Sequence, residues 1–205
     1  MYPATLSKTS VEIVAFLASH IGQSYPVRQI SGKIGKDYKI TYDTTKKLAA
    51  QGILEIERRP RLLICRLNLR TNMQFLAFIE SLRFSHFLKR KPDLRITVAE
   101  LLARIQLPYF TAILFGSHVK GTATEKSDLD ILFIIPDRGA EKIVSSTVAS
   151  VERLVPKGLH EVILTYEEFS ALLKENKPNV AKEALENHIV AYGAEPFYRI
   201  LSETL

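Results

Sequence analysis

The chain has 205 residues, enough for one large domain or two small ones. At 46% hydrophobic and 24% charged, with 9 Gly and 9 Pro, it is of ordinary globular composition, which excludes disordered, collagen-like and low-complexity architectures. Clean apolar runs such as residues 131–135 are far short of the roughly 18–20 residues of a membrane span. The lone cysteine, Cys65, can form neither an internal disulfide nor a cysteine-based metal cluster. Residues 1–10 lack the basic start and apolar stretch of a cleavable signal, so a cytoplasmic location and no membrane partner are expected.

Charge becomes informative when the chain is divided. In residues 1–93, 16 Lys/Arg stand against 7 Asp/Glu, a net of +9, whereas in residues 94–205, 12 stand against 15, a net of −3. The front half is suited to an anionic partner, nucleic acid above all, or is a basic face turned to solvent.

In chain order, residues 10–21 read as a first helix, opened by a serine able to cap it. Residues 27–34 read as a second, with Gly35 placed to end it, and residues 41–51 as a third, stopped at Gly52. Two β-rich runs follow, 53–57 and 62–67, joined through Arg58, Arg59, Pro60 and Arg61. Three short helices followed by a basic-tipped hairpin resemble the winged helix-turn-helix family over about residues 8–68. The resemblance implies that the third helix enters the major groove of double-stranded DNA, offering Tyr42, Thr44, Thr45, Lys46 and Lys47. The hairpin would be the wing, its Arg58, Arg59 and Arg61 meeting phosphates. The alternative is a winged helix used for protein contacts or dimerisation.

Residues 72–91 read as a long helix, with Phe75, Phe78, Ile79, Leu82 and Phe87 available to pack in a buried connector or a homodimer contact. Pro92 marks the expected boundary. The organisation read from the sequence is therefore 1–70, a connector over 71–95, and 96–205. A helix is expected over 98–105.

The second half carries the chemistry. An apolar strand, 111–115, runs into Gly116-Ser117, and ten residues after Ser117 come Ser127-Asp128-Leu129-Asp130, followed by a second apolar strand, 131–135. Glycine after a strand permits a tight turn and close approach to a ligand, and serine at a following helix start adds a hydroxyl to backbone donors suited to phosphate. Gly121 lets the segment fold back. Asp128 and Asp130, two apart on a strand, leave the same face. Two carboxylates facing a phosphate turn suit hard divalent ions shared with a triphosphate, and two Mg²⁺ would activate a hydroxyl and stabilise departing pyrophosphate. The bland reading, a capped turn followed by a solvated aspartate, does not explain a carboxylate pair at the head of an unbroken apolar strand.

The string GSHVKGTATEKSDLDILFI resembles the signature of the polymerase-β-like nucleotidyltransferase superfamily, and most of all its minimal nucleotidyltransferases, over about residues 96–200. The resemblance implies that Gly116, Ser117, Lys120, Gly121 and Ser127 serve the nucleotide and that Asp128 and Asp130 hold metal. Residues 189–193 resemble the family's closing strand, after a helix over 179–187. Lys120 stands where the family usually has arginine, which keeps the charge and loses the bidentate fork. A third carboxylate belongs on a later strand. Residues 159–165 offer Glu161, with His160 on the opposite face, and whichever of the two points inward decides whether the acid is present.

These readings give a two-domain α/β (α+β) protein: a winged helix, a helical connector, and a small mixed sheet with helices on one side. The function they imply is Mg²⁺-dependent transfer of a nucleoside monophosphate from ATP or another nucleoside triphosphate to an acceptor hydroxyl, with a partner protein, a small molecule or a nucleic-acid end as acceptor. The rival is a DNA-binding, antitoxin-like regulator whose transferase fold senses nucleotide or docks a partner.

Overall fold

A computed structural model describes residues 7–205, so the first six residues of the expected 1–70 domain, and most of the start read for a signal, lie outside the described residues. The contacts divide the chain into two compact units between Ile79 and Glu80.

In the first unit, α1 (Lys8–Ala18) begins two residues before its expected start, because the Ser7 side chain, rather than Ser10, caps it by accepting from the Ser10 amide. Ser10 itself is buried. A two-residue strand that the sequence did not announce, β1 (Tyr25–Pro26), leads into α2 (Val27–Ile34), which Gly35 closes in the left-handed region as expected. The next helix, α3 (Tyr38–Ala50), also starts early, since Asp37 caps it through the Ile40 amide. Strands β2 (Leu54–Arg59) and β3 (Leu62–Leu67) form the hairpin, and β1 joins the free side of β3 to give the order β1-β3-β2, all antiparallel. Arg58 and Arg59 therefore lie on β2 and pair with Leu63 and Leu62, while Pro60 and Arg61 make the turn. Ile13, Val14, Leu17, Ile30, Leu48, Ile53 and Leu63 form the interior, each burial contributing about 1.5–3 kcal/mol. Cys65 packs in the same sheet, and burial pushes its thiol up to about 12, which makes it a core residue and not a nucleophile.

Helix α4 (Met73–Arg90) contributes to both units. The stretch expected as a connector is thus α4 and the opening of α5 (Pro92–Arg104), where Pro92 occupies the first helical turn. Phe75, Ile79 and Phe87 are buried, but Phe78 and Leu82, expected to pack, are exposed.

The second unit has a four-stranded sheet of order β6-β5-β4-β7, built from β4 (Thr111–Phe115), β5 (Leu129–Ile135), β6 (Leu159–Thr165) and β7 (Ile189–Tyr192). Helix α6 (Gly116–Lys120) follows β4, and α7 (Glu141–Glu152), entered through a 3-10 turn at Arg138–Ala140, is the crossover that makes β6 parallel to β5. The remaining pairs are antiparallel. Then come α8 (Tyr166–Lys174), opened by a reciprocal Thr165–Glu168 cap, α9 (Val180–Glu186), capped by Asn179, and α10 (Ala194–Thr204). Gly193 leaves β7 in the left-handed region, and a Cβ there would meet the Phe110 carbonyl.

Helices cover both faces of this sheet, correcting the expectation of one side. Leu129, Ile131, Phe133 and Ile135 pack with α5 and α7, while Leu132 and Ile134, equally buried, lie on the face that α8 and α10 cover through Phe169, Phe197 and Leu201. Asp130 is the one position of β5 that is not fully buried.

A buried polar cluster fastens the second unit's share of α4. Arg83 Nη1 donates to Glu80 Oε1 and Oε2 at 2.5 and 2.7 Å, and Tyr198 Oη donates to Glu80 Oε1 at 2.6 Å. Arg83 Nη2 donates to the His188 carbonyl at 2.8 Å. Burial, with the Glu80 carboxylate beside it, holds the Tyr198 phenol well above its ordinary range. Glu80→Ala leaves the Arg83 charge unpaired, and a loss of about 3–5 kcal/mol is expected. Urea denaturation of the full chain checks this, and a midpoint unchanged from the wild type would show that the pair contributes no net stability.

Candidate active site and basic groove

The apolar strand β4 is fully buried and ends at Phe115, which pairs with Asp130 across the antiparallel ladder. Gly116, the next residue, has φ 69°, and a Cβ built on it would lie 1.9 Å from Asp130 Oδ2. Only glycine lets the backbone pass this close to the carboxylate. Helix α6 then turns once and is closed by Gly121, whose amide returns to the Ser117 carbonyl. Thr122 and Ala123 also donate to that carbonyl, at 3.0 and 3.2 Å, folding the loop back toward β5.

The loop ends in a turn in which the Ser127 amide donates to the Thr124 carbonyl at 3.1 Å and the Thr124 amide donates to Ser127 Oγ at 2.9 Å. Ser127, expected to touch nucleotide, thus uses its hydroxyl to close its own turn. His118 is 3% exposed, and its Nε2 donates to the Ser127 carbonyl at 3.0 Å. It pins the residue before Asp128 to α6. Gly158 does similar work from the other side, since its carbonyl accepts from the Leu129 amide and a Cβ there would lie 2.2 Å from Asp128 Oδ1. Neither role has a local sequence signal, because both depend on which segments the sheet brings together.

Asp128 is exposed, and Asp130, two residues on, is partly so. The parallel register pairs Asp130 with His160 and Ile131 with Glu161. Directly paired residues share a face, so His160 stands beside Asp130, its Nδ1 donating to Asp130 Oδ1 at 2.9 Å. Glu161, the expected third acid, follows Ile131 to the α5–α7 face, which corrects its assignment as a catalytic residue and metal ligand. Among the described residues no three His, Cys, Asp or Glu side chains converge to enclose a metal ion. Lys120 is engaged by α9, its Nζ donating to Glu183 Oε1 at 2.9 Å. That bond first, and the fields of Glu183, Glu186 and Asp130 after it, hold the ammonium above its usual range and therefore charged.

A second feature lies within the first unit. Tyr38, Tyr42 and Lys46 of α3 and Arg58, Arg59, Arg61, Leu62 and Leu63 of the hairpin line a groove of about 480 Å³. The Tyr38 and Tyr42 rings stand 5.9 Å apart, and Lys46 Nζ lies 5.7 Å from the Tyr42 centroid. Arg59 pairs with Glu57 at 2.8 Å, which holds the Glu57 carboxyl below its usual range. Arg61 is the one non-glycine residue with positive φ among those described, so the turn projects its side chain from a left-handed backbone. Thr45, expected on the outer face, is fully buried, since Thr41, Thr45 and Leu48 recur at helical spacing on the core side. Thr44 is half-buried, and Lys47 is exposed but does not line the groove. Tyr38 was missed because the helix starts before its expected first residue.

Residues 95–191, from α5 to β7, match the family model described as a nucleotidyltransferase domain, a type that generally uses a nucleoside triphosphate and a divalent metal. No curated protein and no solved structure matches the chain. No helix among the described residues is long and apolar enough to cross a membrane.

Proposed function

We propose that the nucleotidyltransferase domain transfers a nucleoside monophosphate, with ATP as the first candidate donor, to an acceptor hydroxyl with release of pyrophosphate. We further propose that the first unit is a winged helix that holds the enzyme on double-stranded DNA. The observation that carries the reading is the contact of Gly116 with Asp130, which sets a phosphate-sized turn directly against a carboxylate inside the segment matched by the family model.

In this reading the Gly116 and Ser117 amides and the Ser117 hydroxyl bind triphosphate oxygens. Asp130, partly open to solvent, and the exposed Asp128 two residues before it would hold one divalent ion whose remaining shell the nucleotide and water complete, as Mg²⁺-type sites with one or two carboxylates do. That ion supplies charge neutralisation of the transferred phosphoryl group. The expected set of three acids for two ions is not assembled. Lys120 approaches the phosphates once it exchanges Glu183 for them. Catalysis by these residues is mainly positioning and electrostatic stabilisation. A partner protein side chain is the acceptor we place first, and the groove of the first unit supports the DNA reading because its cations and aromatic rings lie on the two elements that would meet a duplex.

A second reading, a DNA-binding regulator with a silent transferase fold, is favoured by His160 in place of an acid and by the Lys120–Glu183 pair. Incubation with α-labelled ATP, divalent metal and cell extract separates the two. Transfer of label is expected, falling at least about 100-fold in Asp128→Ala. Nucleotide binding without any transfer would favour the regulator.

A further inference from the structure

The imidazole beside Asp130 bears on which ion the site accepts. His160 and Asp130 are direct partners across the parallel strands, and the His160 side chain is 63% exposed, so packing does not hold it there. Among the described residues its one bond is to Asp130 Oδ1, at 2.9 Å. Two atoms on neighbouring corners of an octahedral ion with bonds of about 2.1 Å lie about 3.0 Å apart. That separation is also the length of the present hydrogen bond, so a divalent ion can take the place of the Nδ1 proton between the two atoms with little movement of either side chain.

We propose that His160 Nδ1 is, with Asp130, a direct ligand of the divalent ion that accompanies the nucleotide, and that the site consequently selects a first-row transition-metal ion over Mg²⁺. This rests on the nucleotidyltransferase reading. Mg²⁺ is a hard ion that keeps oxygen ligands and dehydrates reluctantly, whereas imidazole is a good ligand for divalent transition ions. The absence of a closed set of three protein ligands among the described residues suits an ion whose shell is finished by phosphate oxygens.

The test uses the full chain with Mn²⁺ and a non-hydrolysable ATP analogue. Calorimetry reads binding of nucleotide with each ion, and pulsed electron paramagnetic resonance reads nitrogen directly bonded to Mn²⁺. Wild type is expected to show imidazole nitrogen coupling, and His160→Gln to lose it while still folding, since the ring is largely in solvent. His160→Asp, which supplies oxygen instead, is expected to shift the Mg²⁺-to-Mn²⁺ affinity ratio toward Mg²⁺ by about tenfold or more. Nucleotide-dependent Mn²⁺ binding without nitrogen coupling would overturn the proposal and leave His160 as a hydrogen-bond donor that positions Asp130. Absence of nucleotide binding with either ion would overturn the transferase reading and this proposal together.

Discussion

Gly116→Ala is expected to lower the affinity for nucleotide and metal by at least about 100-fold, roughly 2.8 kcal/mol. Two effects combine at this position. The backbone is left-handed, which costs an L-residue about 1–2 kcal/mol, and the new methyl would lie 1.9 Å from Asp130 Oδ2, so the carboxylate must move. Gly121→Ala isolates the first effect, because Gly121 has φ 79° but nothing within 4 Å of the added Cβ. The two variants are compared by calorimetric titration with nucleotide and by unfolding. Equal losses of affinity would mean that backbone strain, and not displacement of Asp130, is responsible, and the turn would lose its claim to be the phosphate site.

Replacing Arg58, Arg59 and Arg61 together by alanine is expected to weaken binding to double-stranded DNA by about 100- to 1,000-fold at low salt. It should also flatten the dependence of log affinity on log salt by about 2–3 units, near 0.9 for each phosphate contact removed. All three residues line one groove with Tyr38, Tyr42 and Lys46, and the side chains are exposed, so the fold of the first unit should survive. Arg59 is already paired with Glu57 and is expected to contribute least. Anisotropy titrations over a range of salt concentrations check both quantities. An unchanged slope would remove the hairpin from any DNA interface.

What could be read from the sequence followed the reach of each signal. The Gly-Ser turn and the strands 111–115 and 62–67 were legible because each rests on local pattern, and α2 ended where Gly35 predicted, whereas Asp128, expected on the strand with Asp130, lies just before it. Helix starts were misplaced where a cap lay outside the apolar stripe, at Ser7 and Asp37. Thr45 went to the wrong face for a different reason, since its spacing from Thr41 and Leu48 places it on the core side wherever the helix starts. The unbroken apolar run of β5 already carried the mark of a strand covered twice, and helices on one side of the sheet was a misreading of it. The choice between His160 and Glu161 was beyond local pattern. It depends on how β6 aligns with β5, and a shift of a single residue exchanges the two faces. The parts played by His118 and Gly158 depend on the same long-range alignment.

The division of α4 has a consequence for how such a chain could have been assembled. Glu80, Arg83 and Phe87 belong to the interior of the second unit, and Pro92 only opens the helix that follows. A gene recombination that cut at the proline would deliver a cassette missing the anionic partner of Tyr198 and the ring that seals its core. The heritable module therefore begins in mid-helix, at Glu80.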